Sequence, residues 1–130
     1  ATLQHYLDGF SLNYSIQTEL LVGPGIDEGK FDQEAQMQLF RIIQEALSNA
    51  RKHAGASCLQ VSFEKHDHLV RIRIQDNGRG FDPARAMSDA GNHFGLRFMR
   101  ERAEQIGGNL RVQSAPGEGT CVILDVPMEG

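Results

Sequence analysis

The chain has 130 residues, of which 40% are hydrophobic and 23% charged, and its formal net charge is -4. That length suits one compact domain spanning 1–130, with a core that needs no disulfide or metal staple. The acidic balance excludes a general nucleic-acid binder, which needs a basic patch against phosphates, and no apolar run is long enough to cross a bilayer.

In chain order, Leu3, Leu7, Phe10 and Tyr14 recur at helical spacing and predict a short first helix. Ile16, Thr18, Leu20 and Val22 then alternate with their neighbours, as a strand with one buried face does. The breaker-rich stretch GPGIDEGK ends it. A long helix is predicted over Asp32 to His53, with Asp32 as N-cap. Its apolar stripe is Ala35, Leu39, Ile43, Ala46, Leu47 and Ala50, and Gly55 is its stop. Leu59, Val61 and Phe63 make a second strand and Val70, Ile72 and Ile74 a third, joined by a hairpin at His66 to His68. After a Gly- and Asp-rich stretch from Asp76 to Asn92, another helix runs from about Phe94 to Ile106 and stops at Gly107 and Gly108. Strands at Leu110 to Ser114 and Cys121 to Val126, joined by the turn APGEG, close the chain. This order implies an α+β fold in two layers, a mixed sheet with helices on one face.

The start ATLQHYLDGF lacks the plan of a signal peptide. Cys58 and Cys121 have no CxxC partner, so they read as two buried, reduced thiols. A cytoplasmic domain without membrane contact is expected, and a first residue other than methionine leaves room for a longer, membrane-anchored parent.

Three segments carry candidate chemistry. In QEALSNARKHA, Glu45, Asn49, Lys52 and His53 fall on one helical strip ~100° wide beside the apolar stripe. A carboxylate, an amide oxygen, an ammonium and an imidazole on the rim of a core suit a Mg-nucleotide: oxygen ligands for Mg²⁺, cations for phosphates. The plain alternative is a solvated polar flank. In QDNGRGF, Gly78 and Gly80 let a ligand approach the main chain, and Asp76, where a strand runs out, can accept from an exocyclic amine such as that of adenine. An ordinary Asn-Gly turn is the competing reading. In GNHFGLRFMRERA, Gly91 and Gly95 bracket a short piece before a helix whose amino end can receive phosphate oxygens. The segment lacks the strand-first context of a dinucleotide fold and the closing GK[ST] of a P-loop.

In their order and spacing these segments resemble the ATP-binding catalytic domain of sensor histidine kinases, within the superfamily shared with gyrase, Hsp90 and MutL proteins. QEALSNARKHA is similar to the N box, DNGRGF to the G1 box, GNHFGLRFMRERAEQIGG to the G2 region, and SAPGEGTCVILDVP to the final hairpin. RKHA and GLRFMRERA most resemble the subfamily of nitrate and nitrite sensors. The resemblance implies a Bergerat-type fold that binds ATP and Mg²⁺. It implies that Asn49 ligates Mg²⁺, Glu45 holds or activates a water near the metal, and Lys52 and His53 contact phosphates. It further implies that Asp76 reads the adenine amine, with Gly80 shaping the same pocket and Gly78 beside it in the binding loop, and that Thr120 supports adenine recognition through a water. By the same resemblance Gly91, His93, Gly95 and Leu96 would belong to the lid and its hinge.

Nothing in the sequence resembles the family's phosphoacceptor segment, with its histidine on a dimerising helix. Phosphoryl transfer to a histidine on a separate phosphoacceptor and dimerisation domain is therefore expected, with a response regulator downstream, and this chain alone is expected to be a monomer. The competing readings are a serine kinase of the anti-sigma-factor type and a non-catalytic nucleotide-binding module. The GLRFMRERAEQIGG run and the SAPGEGT ending speak for the histidine kinase.

Overall fold

The computed structural model describes residues 2–26, 31–82 and 95–127. Helix α1 (Thr2–Tyr14) leads into strand β1 (Gln17–Val22), and helix α2 spans Gln33–Asn49. Strands β2 (Cys58–His66) and β3 (Leu69–Asp76) follow, then helix α3 (Leu96–Gln105) and strands β4 (Asn109–Ser114) and β5 (Thr120–Pro127).

The five strands form one mixed sheet in the order β1-β2-β3-β5-β4. Only the β1–β2 pair is parallel, and α2 makes the crossover between them, because parallel neighbours need a long connection. The other pairs are antiparallel. Between β2 and β3, His66 pairs with Leu69 across a two-residue turn in which Asp67 takes φ 55°, a conformation that Asp tolerates.

Strand alternation decides which side is covered. Val70, Ile72 and Ile74 of β3 are buried, as are Leu59 and Val61 of β2 and Val122, Leu124 and Val126 of β5. They share one cluster with Leu7 and Phe10 of α1, Leu39, Ile42, Ile43 and Leu47 of α2, and Met99 of α3. The helices thus lie on one face, as the sequence pattern predicts. Burying each large aliphatic side chain contributes about 1.5–3 kcal/mol, and Leu7, Ile42, Leu47 and Ile72 are fully buried. Asp32 caps α2 as expected, its carboxylate accepting from Ala35 N at 2.7 Å. Gln38 Nε2 ties α2 to α3 through Gln105 Oε1 at 3.0 Å.

Two features depart from the sequence reading. The long helix gives way after Asn49 to a π-helical turn over Ala50–Ala54, ended by Gly55 at φ 61°. The cysteines are free as expected, but they are not both buried: Cys58 is exposed and Cys121 half-buried. With Leu59 and Val122 turned inward, the residue before each points to the opposite face of its strand.

Candidate functional site

A cavity opens between the end of α2, the ends of β3 and β5, and the start of α3. Asn49, His53, Asp76, Gly80, Leu96 and Thr120 line it, together with the apolar side chains of Ala46, Ile74, Phe81 and Val122. Six of the residues singled out in the sequence therefore meet around one space. Its volume is about 20 Å³, room for roughly one water.

Asp76 ends β3 and stands in register with Thr120, the first residue of β5. Its Oδ1 accepts from Gly78 N at 2.8 Å. Burial pushes the Asp76 carboxyl above its ordinary range, and the backbone amides of Gly78 and Thr120 pull against that rise. A half-buried carboxylate held in this way gains from any further donor that reaches it.

The loop after Asp76 is fixed along its length. Asn77 Oδ1 accepts from Ser57 N and Cys58 N at 2.9 and 3.0 Å, and Arg79 N donates to Ala54 O at 2.9 Å. Gly117 N donates to Arg79 O, and Phe81 N donates to Ser114 Oγ at 2.9 Å. Gly80 sits at φ +68°, and a Cβ there would collide with the carbonyl oxygen of Ala115. Only glycine lets the loop lie this close to the β4–β5 turn. Gly78 is pressed against Ala54 of the π turn and shapes the wall without lining the cavity.

The π turn sorts the strip of polar residues. Five-residue ring closure widens the helical spiral beyond Asn49, so the α-helical bearing no longer holds for the residues that follow. His53 lines the cavity, whereas Lys52 is exposed and is not among the lining residues. Glu45 is set to one side. Its carboxylate lies against Gly95, which holds φ +61° at the N-cap of α3, and a Cβ on Gly95 would meet Glu45 Oε1. The amino end of α3, expected to receive phosphate, thus has a carboxylate beside it. Gly91 and His93 lie outside the described residues.

The apolar lining was not named among the sequence candidates, although Ile74 and Val122 follow from strand alternation and Phe81 closes the DNGRGF segment. Ser114 went unassigned too. Its hydroxyl joins Phe81 N, Gly119 O and Thr120 Oγ1 at 2.8–2.9 Å.

The donor set fits the groups that the sequence implies. At one end Asp76 and Thr120 offer acceptor oxygens beside apolar walls, as an aminopurine requires. From α2 and the π turn, Asn49 and His53 line the same space. Among the described residues no group of three or more His, Cys, Asp or Glu could hold a metal.

Comparison with known proteins covers the part of the chain that holds these residues. A family model described as histidine kinase-, DNA gyrase B- and HSP90-like ATPase matches residues 34–130. A sensor-like histidine kinase of Chloroflexus aurantiacus is 35% identical over 131 residues, covering 98% of this chain and 22% of that protein. The signal transduction histidine-protein kinase/phosphatase DegS of Brevibacillus brevis is 34% identical over 128 residues, covering 98% of this chain and 32% of that protein. The chain thus spans less than a third of the length of these curated relatives. The histidine kinase domain of the blue-light activated histidine kinase of Erythrobacter litoralis EL346 superposes with a TM-score of 0.76 at 22% identity, covering 97% of this chain and 59% of that one. The mixed sheet with helices on one face is thus a fold that this kinase domain shares.

Proposed function

The chain belongs to the family of histidine kinase-, DNA gyrase B- and HSP90-like ATPases, and from that membership we propose that it is the ATP-binding catalytic domain of a two-component sensor histidine kinase. The observation that carries this reading is the meeting of Asp76 and Thr120 with Asn49 and His53 around one cavity. In this reading Asp76 accepts from the adenine amine, and Thr120 supports the same end of the base. Ile74 and Val122 flank the purine. Asn49 and His53 face the phosphates, and Lys52, exposed on the π turn, reaches them from outside the lining. Glu45 orders a water from its place beside Gly95, with Leu96 next to it as the hinge of a lid that includes Gly91 and His93.

Asn49 would hold Mg²⁺, which when bound would supply positive charge against the phosphoryl oxygens. The chain itself orients the nucleotide, keeps water from the triphosphate, and presents the γ-phosphate to a histidine. That histidine belongs to a phosphoacceptor and dimerisation domain outside this chain, which is itself a monomeric single domain in the cytoplasm. The family relatives, three or more times longer than this chain, support such a division of labour. Among the described residues no helix is long and apolar enough to cross a membrane. Within the histidine kinases, RKHA and GLRFMRERA support the nitrate and nitrite sensor subfamily.

Two measurements test the reading. Calorimetric titration should give ATP binding that Mg²⁺ strengthens. Labelled ATP should then pass its γ-phosphate to a supplied histidine-bearing stem from a nitrate-sensor kinase. Binding without transfer to any stem removes the kinase half, and no affinity for adenine nucleotides at millimolar concentration removes the whole.

A further inference from the structure

We propose that Ser114 is a positioning residue that locks the Thr120 hydroxyl as a hydrogen-bond acceptor, and thereby makes the cavity select a 6-aminopurine over a 6-oxopurine. The proposal rests on the nucleotide reading above and assigns its specificity to a residue outside the cavity lining.

A count of hydrogens carries the argument. A serine hydroxyl has one hydrogen to give and two lone pairs to accept with. Ser114 Oγ has three polar neighbours: Gly119 O at 2.8 Å, Phe81 N at 2.9 Å and Thr120 Oγ1 at 2.9 Å. The Gly119 carbonyl can only accept, so it takes the serine hydrogen. The Phe81 amide can only donate, so it takes one lone pair. The remaining lone pair meets Thr120, whose hydrogen must therefore point at Ser114. Thr120 Oγ1 is left with lone pairs alone for whatever enters the cavity that it lines.

Asp76 supplies the matching half. Its ionised carboxylate is acceptor-only, and Oδ1 already takes the Gly78 amide. Asp76 and Thr120 are direct partners in the β3–β5 ladder, so two acceptors stand side by side at one end of the space. An aminopurine brings an N–H donor there. A 6-oxopurine brings a carbonyl oxygen, and acceptor against acceptor leaves buried polar atoms unpaired.

The three neighbours come from two parts of the chain: Phe81 from the loop after β3, and Gly119 with Thr120 from the junction of the β4–β5 turn and β5. One hydroxyl therefore fixes the loop and the polarity of the recognition site together.

The test compares ATP with ITP, which differ only at this edge of the base, by calorimetric titration of the full chain. The wild type should prefer ATP. Ser114→Ala frees the Thr120 hydrogen to rotate and donate, so ATP should weaken about tenfold while ITP holds or gains, and the ATP-to-ITP ratio should fall by about that factor. Ser114→Thr, which keeps the hydroxyl, should restore the ratio. Equal weakening of both nucleotides in Ser114→Ala overturns the proposal, because a purely structural serine would act on both alike. So does a wild type that binds ITP as tightly as ATP, whatever becomes of the variants. Absence of wild-type affinity for both nucleotides takes down the ATP reading itself, and the role of Ser114 with it.

Discussion

Asp76 and Thr120 face each other across the β3–β5 ladder, the last residue of one strand against the first of the other. Both line the cavity, so two oxygen-bearing side chains are set by strand register instead of by a loop. Register is hard to shift when one sheet face is buried, since a slip of one residue turns the buried set outward.

Asp76→Asn should separate binding from stability. The lost charge weakens an accepted hydrogen bond from the adenine amine by about 2 kcal/mol, roughly 30-fold in affinity. Burial raises the Asp76 carboxyl above its ordinary value of 3.8. The folded chain therefore holds that proton more tightly than the unfolded one, and ionisation costs stability once the pH rises through the raised value. The nucleotide-free variant should melt at a higher temperature than the wild type at pH 7, and the gain should vanish below pH 3.8. Thermal unfolding across pH, paired with ATP titration, reads both; unchanged ATP affinity would refute the role of Asp76.

Asn49→Ala should lower ATP affinity about tenfold with Mg²⁺ present and barely without it. Titrations with Mg²⁺ and with a chelator supply the comparison. Equal losses in the two conditions would count against a metal role for the amide.

Gly95→Ala should destabilise the chain by about 1–2 kcal/mol through its left-handed backbone alone, and by more because the new methyl meets the Glu45 carboxylate. Adding Glu45→Ala should recover the second part and not the first, a coupling that urea unfolding of the single and double variants measures. A strictly additive double variant would mean that the close approach is not felt.

Asp125 should reveal itself in acid. Arg71 Nε and Nη2 donate to its two carboxylate oxygens at 2.7 and 3.1 Å. That pairing holds the Asp125 carboxyl below its usual value of 3.8. A lowered value means stability present above 3.8 and lost as the pH falls through the folded value. Asp125→Asn should thus lower the urea midpoint at pH 7 and lose its effect as the pH falls below 3.8. A penalty that persists unchanged into acid would assign the effect to packing.

Much of this was legible in the sequence because it rests on short-range rules. The period-two runs placed the strands and the stripe on α2 placed the helices on one face. Gly55 marked the stop, and the HDH turn marked the hairpin. The π turn was not legible, since ARKHA contains no residue that breaks an α-helix. His53 lines the cavity and Lys52 is not among its lining residues. Ile123 was equally hidden. Alternation puts it on the open face of the sheet, yet it is 4% exposed, because Arg73 and Arg111 are its partners in register and their long stems can shelter it. Ser114 was invisible for another reason: its meaning lies in three neighbours that only the folded chain assembles.

The loop after Asp76 is held largely by peptide groups: Asn77 N to Cys58 O, Arg79 N to Ala54 O, Gly117 N to Arg79 O. Every residue type but proline carries an amide hydrogen, so such ties survive most substitutions at these positions. A change at Arg79 to any residue but proline leaves the amide that donates to Ala54 O in place, whereas Gly80, pressed against the Ala115 carbonyl, has no such latitude.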